Sequence, residues 1–275
     1  MTAVRGAALL LVLWITLLLA GLVAGYAMTA RIASLQGHGE VRALQAREAA
    51  RAGVELAVSR LLEPDPARRW AVDGRVQHIT FDGIPVQVSV RDEAALIDLN
   101  AASPDLLQAF FMQLGEPRDA ATRLAGAILD WRDGDSLTQP GGGAEDADYA
   151  AAGLPWGAKD APFESVAEVE QVLGMRPDLY ARAAPHLTIH SGQALPDANF
   201  ADPVVRAALG LPEKNAPLDP DAPPLAGSGT YSIDSRARLT DGRSARLSVV
   251  VRMGGNGLPG STYTTLRWQV PGAAR

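Results

Sequence analysis

Between Gly6 and Ala30 the chain carries no charged side chain, and Arg5 stands directly before the run. No other feature limits the possible folds as strongly. A helix rises ~1.5 Å per residue, so ~20 apolar residues cross the hydrocarbon core of a bilayer. The stretch from Ala7 to Ala30 satisfies that length. A cleaved signal peptide needs an apolar run of only ~7–15 residues followed by a small-residue cleavage site. Ala27-Met28-Thr29-Ala30 offers such a site and would leave a terminus at Arg31, but the run is longer than that role requires. With Arg5 and the amino terminus as the leading cations, the positive-inside rule puts the short leader in the cytoplasm and the bulk of the chain outside.

The helical pattern continues past the apolar run. Arg31 to Glu63 contains no proline, and Ile32, Leu35, Leu44, Leu56, Leu61 and Leu62 lie amid Arg, Glu, Gln and many alanines. Gly37 and Gly39 weaken the helix locally and mark a potential bend. Glu63-Pro64-Asp65-Pro66 ends it, because proline lacks the donor and disfavours helix in the residue before it. Ala7 to Leu62 thus reads as one rod of roughly 80 Å.

After the proline break, Arg75–Phe81 and Ile84–Val90 read as strands joined by the hairpin signal Asp82-Gly83. From about Asn100 to Pro185 helices take over. Ser103 caps a helix that opens on Pro104 and runs through Leu106–Leu114. A second covers Arg118–Trp131, and a third Ser165–Leu173, where Ser165 and Glu168 suggest a capping box. Strand character returns at Tyr231–Leu239, Ser244–Met253 and Thr262–Val270. The stretch Ala194–Gly229 reads as a long loop with one short helix near Pro203–Leu209. The expected fold class is α+β: a long N-terminal helix packed on a small antiparallel sheet, with an inserted all-α domain.

The balance of charge narrows function. The net charge is −6 and only two lysines occur, so clustered basic residues for a phosphate backbone are not expected. The chain has no cysteine, which excludes disulfides, thiolate metal sites and cysteine nucleophiles. His186 and His190 are four apart but lie in a strand-like run beside Pro185, where they share no helix face for zinc. With no Gly-x-Ser-x-Gly or phosphate-binding loop, the sequence does not read as an enzyme.

A leader ending in Gly6 before an apolar helix with an amphipathic second half resembles the type IV pilins and pseudopilins. The segments VSVRDEAALIDLNAAS, ILDWRDGDSLTQPGGGAEDADY and PFESVAEVEQVLGM, followed by PHLTIHSG, are similar to the large minor pseudopilins of type II secretion systems. That resemblance implies cleavage by a prepilin peptidase after Gly6 and methylation of the new terminus at Ala7. It also marks a departure. Most of the superfamily carries a glutamate at the fifth mature position, whose carboxylate meets the terminal amine of a neighbour; here that position is Leu11, and the first acid is Glu40. A subunit without that carboxylate suits the end of a fibre. The implied partners are other minor pseudopilins in a tip complex, the major pseudopilin below them, the secretin and exported cargo. The implied place is the bacterial inner membrane, crossed once, with the C-terminal part in the periplasm. The implied domains are a leader 1–6, a membrane half-helix 7–30, a pilin-like α+β domain from 31–96 and 186–275, and an inserted α-helical domain 97–185. One local difference is Asp98, where the family is expected to favour Asn.

Asp130, Asp133, Asp135, Glu145, Asp146 and Asp148 fall in one short segment opposed by Arg132 alone, with Gly141–Gly143 between them. A solvated acidic loop accounts for such a stretch. The glycines also allow the chain to fold back, and carboxylates so gathered repel unless a cation lies between them. The spacing is not that of an EF-hand, since Leu137 replaces the fifth-position ligand and the following glycine is missing. The resemblance implies structural Ca²⁺, with Asp133, Asp135 and Glu145 as first ligands and Asp148 and Asp130 next. The alternative function is a membrane-anchored helix-hairpin-helix protein that binds or takes up DNA, because DLNAASPDLLQAF and the later PFESVAEVEQVLGM also resemble that module. Its hairpins would be Leu114-Gly115-Glu116-Pro117 and Leu173-Gly174-Met175-Arg176-Pro177, which lack the second glycine that phosphate binding uses.

Overall fold

The computed structural model describes residues 4–212, 225, 227–255, 257 and 260–270. Met1–Ala3 and the middle of the expected loop Ala194–Gly229 lie outside the described residues. One helix, α1, spans Val4–Leu61 and passes through Gly37 and Gly39 without a break in its helical backbone. Within it, Leu9–Thr29 is long and apolar enough to cross a membrane, and none of it is buried by the rest of the chain.

The upper part of α1 packs on a five-stranded antiparallel sheet of order β1-β2-β5-β6-β7. Here β1 is Asp73–Phe81, β2 Ile84–Asp92, β5 Thr230–Arg238, β6 Ser244–Met253 and β7 Tyr263–Gln269. The β1–β2 turn has positive φ at both Asp82 (49°) and Gly83 (75°), the backbone that a two-residue hairpin needs to match strand twist. Ala49, Ala50, Val54, Ala57 and Val58 of α1 bury against Val86, Val88, Ile233, Val249 and Val251. Small helix residues allow the close approach. At Gly53 a Cβ would lie 2.3 Å from Ser235 Oγ and 2.9 Å from Val88 Cγ2. Gly53→Ala is therefore expected to overpack this contact and cost ~1–3 kcal/mol. Chemical denaturation should read that loss, with partial recovery in a Gly53→Ala/Ser235→Ala double variant, since among the described residues buried Ser235 Oγ has no hydrogen-bond partner.

Between β2 and β5 the chain leaves the sheet and builds a second core. Its helices are α2 (Pro104–Gln113), α3 (Arg118–Arg132), α4 (Asp146–Ala151), α5 (Pro177–Ala183) and α6 (Pro203–Ala208). Ser103 accepts from the Leu106 amide at 3.3 Å, capping α2. Phe110, Phe111, Leu107, Ile128, Tyr149 and Leu179 are fully buried in this core. Ala201, Val205 and Ala208 also pack in it, beyond the expected boundary at 186, whereas Phe200 packs against the sheet core. The stem is not helical. Two-residue strands β3 (Ile97–Asp98) and β4 (Leu187–Thr188) pair in parallel and bring its two ends together.

The expected third helix with a capping box at Ser165 is corrected. Val166–Gln171 is a 3₁₀ helix, and Ser165 makes no side-chain cap. Glu168 instead accepts from the Glu164 amide at 3.0 Å and from Lys159 Nζ at 2.8 Å, so its carboxylate is held away from the Ser165 amide.

Three buried carboxylates fasten the stem. Asp92 accepts from the Ala94 amide (2.8 Å), the Ser228 amide (2.6 Å) and Ser228 Oγ (2.6 Å), joining the strand that leaves the sheet to the segment that re-enters it. Glu93 accepts from Thr188 Oγ1. Asp98 accepts from the Asn100 amide (2.9 Å), the Gly192 amide (2.7 Å) and Ser191 Oγ (3.1 Å). An aspartate at 98 is thus fully bonded, and its position as an exception to the expected Asn does not disturb the fold.

Candidate metal centre

The acidic segment begins on α3. Asp130 lies on the last turn of that helix beside Trp131, whose ring stacks on Phe163 with centroids 6.2 Å apart. The apolar side of α3 therefore draws Asp130 inside, where it is fully buried. Its Oδ2 accepts from the Ala144 amide at 2.7 Å and its Oδ1 from the Gln139 amide at 3.2 Å, so the glycine loop folds back over it. The loop can approach only because residue 143 is glycine: a Cβ there would fall 2.0 Å from Asp130 Oδ2. Gly126 makes the same kind of room in the helix, since a Cβ there would meet the Gly142 carbonyl oxygen at 1.8 Å.

This folding gathers Asp130, Asp133 and Glu145, with one carboxylate oxygen of each within 4.8 Å of the others. Asp133 Oδ1 and Glu145 Oε1 are both buried and, among the described residues, have no hydrogen-bond partner. Buried anionic oxygens with no donor are costly, and oxygen-seeking divalent cations meet that need directly. Burial, and then the neighbouring carboxylates, push the Glu145 carboxyl up to about 6. Burial also raises Asp130 and, with Asp135 beside it, Asp133. Arg132 offsets the charge of Asp133 only in part, without a hydrogen bond to it. Its guanidinium donates to the carbonyls of Leu99 and Ala102, the latter at 2.8 Å.

Of the expected ligands, Asp133, Glu145 and Asp130 come together. Asp135 is exposed and accepts from the Leu137 amide at 2.8 Å. Asp148 is exposed and accepts from the Glu145 amide at 3.0 Å, acting as the start of α4. Asp160 was not singled out in the sequence. It adopts a left-handed φ of 53°, and its negative charge raises both Glu145 and Asp133. The one local signal for it is an aspartate in the turn before Ala161-Pro162, since Asp tolerates that conformation.

At the two candidate DNA hairpins, Gly115 and Gly174 both have φ of 92°. The turns are tied to each other: Arg176 forks onto Glu116 at 2.7 and 3.2 Å, and Arg182 adds a contact to Glu116 at 3.8 Å. The arginine that would meet a phosphate is held by an acid from the opposite hairpin.

Comparison with known proteins agrees with this architecture. Residues 89–192 match the family model described as type II secretion system (T2SS), protein K. Type II secretion system protein K of Pectobacterium carotovorum subsp. carotovorum is 28% identical over 205 residues, covering 66% of this chain and 62% of that protein. The protein of the same name from Klebsiella pneumoniae is 31% identical over 216 residues, covering 70% and 64%. The chain thus spans a little under two thirds of the length of these relatives. A chain in the crystal structure of the GspK-GspI-GspJ complex from the enterotoxigenic Escherichia coli type 2 secretion system has the same fold, with a TM-score of 0.65 at 18% identity; the match covers 86% of this chain and 100% of that one. The matched segment begins in β2, contains the acidic loop and ends just past β4, so it is residues 89–192 that carry the likeness to type II secretion system protein K.

Proposed function

We propose that the protein is a minor pseudopilin at the tip of a type II secretion pseudopilus, anchored in the inner membrane by α1 with its two packed cores in the periplasm. The observation that supports this reading best is the unbroken α1. It carries an exposed apolar surface over Leu9–Thr29 and buries a second, separate face against the sheet. A helix apolar all round seeks lipid or other apolar helices. Leu11 lies in that exposed stretch, where most of the superfamily has a carboxylate. Such a subunit offers its own amine to a neighbour and accepts none, which fits the uppermost place. The partners are other minor pseudopilins beside it and the major pseudopilin below, with the secretin and cargo above.

The prepilin peptidase cleaves after Gly6 and the mature chain begins at N-methyl-Ala7. Intact mass measurement on the protein purified from membranes tests this. The expected mass is that of residues 7–275 plus one methyl group. A terminus at Arg31 would mean an ordinary secreted protein and overturn the reading.

The acidic centre is proposed to hold a structural Ca²⁺ through Asp130, Asp133 and Glu145, with Asp160 and Asp135 close enough in charge to strengthen it. The support is the pair of partnerless buried oxygens on Asp133 and Glu145. When bound, the ion supplies positive charge where three carboxylates meet. The residues themselves fix the loop 133–145 to α3 and so shape one side of the insertion. In a chain with no disulfide, that crosslink takes the place of a covalent one.

A further inference from the structure

The outer face of the sheet, turned away from α1, is basic. Alternation along the strands settles which residues lie there. Ile233, Ser235 and Ala237 of β5 and Leu247, Val249 and Val251 of β6 are buried, so the residues between them point outward. These include Arg236, Arg238, Arg246 and Arg252, all exposed; Arg91 on β2 and Arg267 on β7 share the face by register, but Arg91 donates to the Pro185 carbonyl at 3.0 Å and Val250, opposite Arg267, is buried, so that end of the face is partly covered. Two acids share the face, and each is already forked by an arginine: Asp234 by Arg246 at 2.6 Å and Asp73 by Arg75 at 2.7 Å. Among the described residues, Arg236, Arg238 and Arg252 have no carboxylate within ion-pair distance.

Arg236 also stands directly opposite Arg246 across the β5–β6 ladder. Like charges in that position destabilise a sheet; on its other side Arg236 faces the neutral Gln87, and the outward residues Ser89, Ser232 and Ser248 are small. Arginine forks carboxylates bidentately, sheds water more readily than lysine, and is enriched at protein interfaces. We infer that this face docks a carboxylate-rich surface of a partner protein, centred on Arg236 and Arg238.

A membrane surface fits less well. Gly39 lies against Arg243 in the β5–β6 turn, and Glu55 bonds Tyr263 at the start of β7, so the strands climb along α1. Thr29 lies ten positions before Gly39 and seventeen before Ala46, the first buried residue among those described in the upper helix. At ~1.5 Å per residue the lowest edge of the sheet stands ~15 Å above the span and its main contact ~25 Å, beyond the ~8 Å screening length of physiological salt.

The test uses the full chain in uncharged detergent micelles. Fluorescence anisotropy of labelled deca-glutamate should report binding that weakens steeply with added salt. The double variant Arg236→Glu/Arg238→Glu should bind it at least tenfold more weakly, while Arg118→Glu, on the exposed start of α3, should bind as wild type. Arg236→Glu alone should melt ~1–4 °C higher than wild type, because it exchanges a cross-strand repulsion for an attraction, so loss of binding cannot be ascribed to unfolding. Peptide binding unchanged in the double variant would overturn the proposal. So would tighter binding to a DNA duplex or to phosphatidylglycerol vesicles than to the acidic peptide.

Discussion

Adding millimolar Ca²⁺ to the ion-free protein at pH 7.5 should raise its melting temperature by ~3–10 °C, and EDTA should reverse the rise. The size follows from mass action. A ligand at 10–100 times its Kd stabilises the folded state by ~1.4–2.7 kcal/mol, and each kcal/mol moves the melt of a domain of this size by ~2–4 °C. The effect must also depend on pH in a definite direction. Without the ion, the Glu145 carboxyl is raised to about 6 from an ordinary 4.5 by burial and by the acids around it. A carboxyl with a raised folded value stabilises the fold while neutral. That contribution is complete below ~4.5 and is lost as pH rises through ~6. The ion-free protein should therefore gain stability on going from pH 7.5 to 5, by ~1–2 kcal/mol from this group. The ion requires the charged form, so its benefit shrinks over the same range, and the gap between calcium and EDTA melts should narrow as pH falls through ~6. Glu145→Gln should melt above the ion-free wild type and ignore calcium. Asp133→Ala should remove the calcium response. A gap that persists unchanged at pH 5, or no gap at 7.5, contradicts a metal held by these carboxylates.

Asp92→Ala should be the most damaging single change outside the two cores. The side chain is fully buried and accepts three hydrogen bonds, two from backbone amides and one from Ser228 Oγ. Truncation leaves those donors without an acceptor in a site too enclosed for easy repair; a Cβ on Gly227 would already lie 2.5 Å from Asp92 Oδ2. Unsatisfied buried donors cost ~1–3 kcal/mol each, so a total of ~3–5 kcal/mol is expected. Urea denaturation followed at Trp131, in the insertion core, and separately by far-UV circular dichroism should show the two transitions separating, because Asp92 joins the sheet to the stem. A loss under ~1 kcal/mol would mean the stem is held mainly by β3–β4 and the apolar contacts around it.

Much of this fold was legible because its signals are local. The apolar run, the Asp82-Gly83 hairpin, the Ser103-Pro104 helix start and the alternating valines of β2 each follow from a few neighbouring residues. The parts that were not legible depend on distant partners. β3 and β4 are two residues long, too short for any periodicity to register. The capping box failed because Lys159, several residues upstream, competes for Glu168. In the acidic segment the sequence supplies the carboxylates, and the family resemblance puts Asp133, Asp135 and Glu145 first with Asp148 and Asp130 next. Burial sets the grouping: Trp131 and the apolar side of α3 draw Asp130 inside beside Asp133 and Glu145, whereas Asp135 and Asp148 close local turns. Asp160 reaches the group only through the fold of the intervening chain. The arginine face was invisible for a similar reason, since its members lie on four strands whose order appears only once the sheet is assembled.

The reading of the whole chain depends on where it sits in a fibre. Pseudopili assembled with this protein carrying a gold-binding tag at an exposed site of the insertion, such as Asp119, can be imaged by electron microscopy. The tip assignment predicts one label per fibre, at one end. Labels spaced regularly along the shaft would contradict it.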